Sequence, residues 1–206
     1  MKERPILFSG PMVRALLDGS KTQTRRVVKP QPHILAGELL CWKDDALTDE
    51  MVAERSPYGQ PGDRLWVREA FSGPYCMEKT DDLPAMPPGQ WPPESAIWYW
   101  ADGNPGYGDW TRPRPSIHMP RWASRITLEI TEVRVERLQD ISEQDAQAEG
   151  IAFDEAHQCW PNYGQAAPPI CNARGSYRLL WQSINGPGSW TANPWVWAVS
   201  FKRVTP

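Results

Sequence analysis

Long apolar runs are missing from this sequence: nothing in its 206 residues approaches the eighteen or so consecutive apolar positions that a membrane-spanning helix needs. No membrane partner is therefore expected. The opening MKERPILFSG has two basic residues but no extended apolar core, so it does not read as a secretory leader, and the expected location is cytoplasmic. Cysteine is scarce and scattered. Cys41, Cys76, Cys159 and Cys171 include no closely spaced pair, which argues against a disulfide framework and for four free thiols. His33, His157, Cys159 and Cys171 could in principle assemble a zinc site, but without paired ligands buried or loop thiols are the blander reading, and no metal or cofactor is expected. A charge excess of either useful sign is also lacking. With 22 basic and 25 acidic residues the formal net charge is −3, so any nucleic-acid contact must come from a local basic patch. No fixed-period repeat is visible, which disfavours solenoids and propellers.

What is abundant is tryptophan, at 12, and proline, at 22, alongside a hydrophobic share of 40%. That combination points to a folded, aromatic-rich chain with long ordered loops, and the length fits one large domain spanning residues 1–206.

Along the chain, Pro11 to Asp18 reads as a short helix, with proline in the first turn and Gly19 just past the end. Strand character follows at Thr24, Val27 and Val28, then a loop with weak strand character to Trp42. A Pro61-Gly62-Asp63 turn precedes a strand through Leu65, Trp66 and Val67. Residues 72–115 are expected to be irregular, with a polyproline-like portion in LPAMPPGQWPPE. In RITLEITEVRVERL the apolar phase shifts between Ile130 and Val133, which predicts a bulge and, with it, a sheet that curls into a barrel. Ser142 caps a helix that Gly150 stops; residues 152–172 form a second long loop. A helix around Tyr177 to Ile184 and a closing strand, PWVWAVSFKRV, complete the chain, with Trp195 and Trp197 expected in the core.

Three groups of residues have chemical potential. In GSKTQTRR, Lys21, Thr24, Arg25 and Arg26 read either as a solvated helix exit or as working groups. Residues three apart on a regular strand face opposite sides, so bringing Lys21 to Thr24 needs a turn, which Gly19 allows. A lysine with its pKa lowered by burial and a neighbouring arginine would then activate the threonine for acyl transfer. In DWTRPRPSIHMPRWASR, Arg112, Arg114, Arg121 and Arg125 alternate with aromatic residues including Trp122, a pattern suited to phosphates and stacked bases. The alternative is that Trp122 is core and the arginines pair with acids such as Glu78, Asp81 and Asp82. Glu69, at the end of the Leu65–Val67 strand, faces either the pocket or solvent.

The blocks LLDGSKTQTRR, PGDRLWVRE, DISEQDAQAEGI and NPWVWAVSFKR, in that order, resemble the ASCH family, and specifically its longer, phage-borne members. The resemblance implies an α+β fold: a PUA-like curled mixed β-barrel with short flanking helices, here with two long irregular insertions. It also implies a function. The family's compact branch includes N4-acetylcytidine amidohydrolases, whose catalytic lysine, threonine and glutamate fall here on Lys21, Thr24 and Glu149. A glutamate in the last turn of a helix is misplaced with respect to the helix dipole, which favours a functional role for Glu149. The expected partner is RNA or a modified nucleoside, bound with the help of Arg25, Arg26, Glu69 and the Arg112–Arg125 segment. The competing expectations are a metal-independent ribonuclease and a non-catalytic nucleic-acid-binding module.

Overall fold

The structure is a computed structural model that describes residues 1–34, 40–42, 45–75, 86–91, 96–163 and 170–204. The chain begins with β1 (Glu3–Leu7), α1 (Gly10–Leu17) and β2 (Gln23–Val27), followed by three short strands, β3 (His33–Ile34), β4 (Leu40–Trp42) and β5 (Asp45–Leu47). Next come α2 (Asp49–Glu54), β6 (Arg64–Arg68), β7 (Phe71–Ser72) and β8 (Trp98–Tyr99). The last elements are β9 (Thr127–Arg137), α3 (Glu143–Ala148), α4 (Ala173–Asn185) and β10 (Trp195–Val204).

The fold is mixed α and β around a five-stranded sheet of order β1-β6-β9-β10-β2. The β1–β6 pair is parallel and the other three pairs are antiparallel. The expected barrel does not close. Among the described residues β1 pairs only with β6 and β2 only with β10, so both remain open edges.

Local sequence explains the central strands. The turn before β6 needs Gly62, whose φ is +89°. Its N–H donates to the Ile130 carbonyl at 2.8 Å, and the Asp63 carboxylate accepts the Lys2 amide at 2.7 Å, which ties β1, β6 and β9 together at one corner. The phase shift in β9 is a real bulge. Ser200 sits opposite Glu132 and Phe201 opposite Ile130, so Thr131 is skipped in the register.

The sheet is covered on both sides. On one, Ile6, Val13, Leu16, Leu128, Trp197 and Phe201 belong to a core over which α1 packs. On the other, Val196 meets Ala146 of α3 and Tyr177 and Trp181 of α4. This double coverage is why β10 is buried at every position from Trp195 to Val199, the two tryptophans included. Phe71, Trp91, Met119 and Ala123 form a satellite core beneath the first long connection, which is thus partly ordered rather than irregular throughout. Of the expected polyproline-like portion, residues 83–94, positions 86–91 are described and include a 3-10 turn at Pro88–Gln90; the other half and the acids Glu78, Asp81 and Asp82 lie outside the described residues. Among those described, no helix is long and apolar enough to cross a membrane.

Candidate functional site

The segment that leaves α1 reaches the site through two backbone constraints. Gly19, at φ +83°, turns the chain, and the Lys21 amide then donates back to the Ala15 carbonyl at 2.9 Å. The Thr22 amide donates to the Ala148 carbonyl at 2.8 Å, so Lys21 lies as a single β-bridge against Glu149 at the end of α3. That approach is close. A Cβ on Gly150, whose φ is +92°, would stand 3.1 Å from the Ala15 Cβ and 3.2 Å from the Lys21 Cβ.

From there β2 runs as an edge strand. The Thr22 carbonyl and the Val28 amide both bond to β10, so even-numbered residues turn their backbone inward and Gln23, Arg25 and Val27 turn theirs toward the open edge.

Buried charges meet at this edge. The Lys21 side chain is fully buried, and its ammonium donates three hydrogen bonds of 2.8 Å, to the Gln23 carbonyl, the Glu149 carbonyl and Glu149 Oε2. Arg25, equally buried, donates to Glu136 Oε1 from Nε and Nη2 at 2.9 and 2.6 Å, and from Nη1 to Glu149 Oε1 at 3.3 Å. It also contacts the Gln23 side chain and the Asp145 carboxylate, the latter at 3.4 Å. The Tyr177 hydroxyl donates to Glu149 Oε1 at 3.5 Å. Both carboxylate oxygens of Glu149 are therefore engaged, which compensates for its position at the negative end of α3.

The charge states follow from this packing. Burial pulls Lys21 below its ordinary value, against the opposing pull of the Glu149 carboxylate. Burial also acts against the charge on Arg25, but Glu149 and Glu136 together outweigh it and hold Arg25 above its ordinary value. Tyr177 is pushed well up, first by burial and then by the Glu149 charge, and stays a phenol.

Beside this cluster lies a cleft between β2, α1 and α4, with about 80 Å³ of water-accessible space inside a total of about 480 Å³ that includes its mouth. Thr24, Arg26, Glu149 and Tyr177 line it, with Met12 and Trp181 among its apolar walls. A second hollow of about 200 Å³ shares Met12, Glu149, Leu180 and Ile184 with the first, so Glu149 belongs to both. Thr24 is buried at 3% exposure, and its hydroxyl makes no hydrogen bond among the described residues.

Of the sequence-predicted residues, the structure brings Lys21, Arg25 and Glu149 into contact and sets Thr24 and Arg26 on the cleft beside them. It does not join Lys21 to Thr24, because all three ammonium hydrogens have other acceptors. Glu69 is elsewhere. It is 1% exposed and accepts a two-pronged contact from Arg125 at 2.9 and 3.0 Å. Arg125 also grips Asp102 with two bonds of 2.7 Å and lies 4.0 Å from the Tyr99 ring centre. Burial raises the Glu69 carboxyl above its ordinary value despite Arg125. Arg121 pairs with Glu3 at 2.9 Å, Arg114 lies over the Trp91 ring, Trp122 packs on the satellite core, and Arg112 is exposed. None of these residues lines the cleft.

Sequence reasoning missed Gln23, Glu136, Asp145 and Tyr177 as parts of the site. The capping box of Ser142 and Asp145 gave a signal for the helix but none for its contact with Arg25. A tyrosine amid the apolar positions of α4 was the one hint of a buried hydroxyl. Compared with known proteins, the chain matches no family model, no curated protein and no solved structure.

Proposed function

We propose that this chain is an ASCH-type protein of PUA-like descent, whose β2-edge cleft takes up RNA or a modified nucleoside and hydrolyses the acetamide of N4-acetylcytidine. The observation that carries this reading is the pairing in one cleft of a threonine hydroxyl with no hydrogen-bond partner among the described residues and a buried carboxylate fixed from three sides. The quoted motif blocks support the family assignment; the sheet supports only an α+β architecture.

In this reading the Thr24 oxygen attacks the acetyl carbonyl and its proton passes to the Glu149 carboxylate. The C–N4 bond then breaks as Glu149 returns that proton to the departing amine, leaving cytidine and an acetyl ester on Thr24. Water cleaves the ester, releasing acetate and restoring the hydroxyl. Lys21 and Arg25 hold the carboxylate in place, and Lys21 is a positioning cation rather than the base, since its hydrogens are all engaged. Tyr177, kept protonated by burial, adds a third restraint on Glu149.

The ribonuclease and binding-only readings draw on the Arg112–Arg125 segment, where Arg121 and Arg125 already hold carboxylates and Arg114 covers a ring. They have correspondingly less support. The test is acetate release from N4-acetylcytidine by the wild type and by Thr24→Val and Glu149→Gln variants with native circular dichroism. Turnover by the wild type and its loss in both variants is the expected result. No turnover by the wild type at saturating nucleoside would overturn the reaction.

A further inference from the structure

Arg26 differs from every other cation around the site. Lys21, Arg25 and Arg134 each contact at least one carboxylate, whereas Arg26 contacts none among the described residues. Its guanidinium lies 5.4 Å from the Phe8 ring centre, and Nη2 donates to the Leu7 carbonyl at 2.6 Å. These two contacts orient the group without neutralising it. Among the described residues its buried Nε has no acceptor and Nη1 makes no hydrogen bond. Arg26 lines the cleft. Neither Nε nor Nη1 bonds to the Glu149 carboxylate, whose contacts among the described residues are with Lys21, Arg25 and Tyr177.

A cleft lined by a guanidinium that no carboxylate compensates among the described residues fits an acceptor-rich anion. Arginine suits phosphate in particular, because its planar fork presents several N–H groups to tetrahedral oxygens, and a half-dry cleft strengthens the attraction. We infer that Arg26 recognises a phosphate ester on the ligand, so that the substrate class is a nucleotide, free or within RNA, rather than a bare nucleoside. This rests on the reading that a nucleoside enters the cleft, and it adds a specificity determinant that acts on binding.

The test is calorimetric titration of the wild type and of Arg26→Gln with three probes: N4-acetylcytidine, its 5′-monophosphate, and a trinucleotide with the same base at its centre. The wild type should bind one or both phosphorylated probes about ten- to a hundredfold more tightly than the nucleoside, the advantage shrinking as salt rises. A gain for the monophosphate places the ester on a free nucleotide; a gain for the trinucleotide alone places it in RNA. Arg26→Gln should lose that advantage while keeping its affinity for the nucleoside, and Arg26→Lys should keep part of it. Equal binding of all three probes by the wild type would overturn the phosphate assignment and leave the nucleoside reading intact. Binding of none would overturn both. Parallel loss of all three probes in Arg26→Gln would make Arg26 a support of the fold and also overturn the assignment. Should Arg26→Gln fail to fold, the wild-type preference and its salt dependence decide the matter.

Discussion

Two ion-pair networks flank the central sheet, a buried one at the β2 edge around Glu149 and a half-exposed one beyond β6 around Arg125, and they are built differently. In the Arg125 network one guanidinium meets two carboxylates and a tyrosine ring, and every charged group finds its partner within the network. It fastens the segment around Tyr99 and Asp102 to Glu69 at the end of β6. In the Glu149 network the carboxylate is engaged by three donors, yet two residues that line the cleft beside it differ: the Thr24 hydroxyl makes no hydrogen bond and Arg26 meets no carboxylate among the described residues. Burial and charge pairing are common to both networks; what separates them is the cleft beside Glu149.

The comparison breaks most visibly at Glu149. Glu149→Ala leaves the fully buried Lys21 ammonium without a carboxylate, while Arg25 keeps Glu136 and Asp145, and should remove about 3–5 kcal/mol of stability in urea unfolding. The double variant Lys21→Met with Glu149→Leu should recover most of that loss and still release no acetate, separating the network's role in folding from its role in the cleft. A smaller effect is expected at the other network. Glu69→Ala should cost about 1–3 kcal/mol, because Arg125 keeps Asp102 and the Tyr99 ring, and should leave ligand affinity in the cleft unchanged. If Glu69→Ala abolishes binding instead, the two networks are not independent.

A subtler contrast comes from acid. Burial works to raise the Asp145 carboxyl, but the Ser142 hydroxyl and Arg25 outweigh it and hold the group below its ordinary value. Its contribution to stability is therefore complete above that ordinary value and is lost as the pH falls through the lower folded-state value. Melting temperatures followed from about pH 5 downward should drop less steeply in Asp145→Asn than in the wild type. The smallest change in stability belongs to Thr24→Val, which has no hydrogen bond to lose and should shift unfolding by about 0.5 kcal/mol or less while abolishing acetate release. A large destabilisation there would mean that the hydroxyl is structural.

Much of the framework was legible because its signals are local. Pro11 and Gly19 delimit α1, the slip in apolar phase marks the bulge at Thr131, and Ser142 caps α3. Strand β1 was not legible: ERPIL is five residues with a central proline and one fully buried side chain, and its partner strand lies about sixty residues away. Closure of the sheet is likewise a matter of pairing between distant edges, which a bulge alone does not decide. Helix α4 starts four residues earlier than its apolar spacing suggests, because Asn172 caps it through the Gly175 amide. In the site, the odd placement of Glu149 at a helix end reads as a sign of function; the structure shows it held there by Lys21 and Arg25. The spacing of Lys21 and Thr24 did not yield their separation, since that depends on which acceptors the turn brings to the ammonium. For the arginine segment, spacing showed a patch, whereas the partners that engage Arg125 lie 23 and 56 positions away.

The first residue of α3 does something beyond beginning a helix. The Glu143 carboxylate accepts the backbone amides of Ala173 and Arg174, at 2.8 and 3.3 Å, and so bolts the start of α4 to the start of α3. Glu149 and Tyr177 stand on the two elements that this bolt joins. The acid wall of the cleft is thus preassembled, and a ligand meets a socket that needs no slow rearrangement. In a rapid-mixing experiment the approach to equilibrium should then follow a single exponential whose rate rises linearly with ligand concentration.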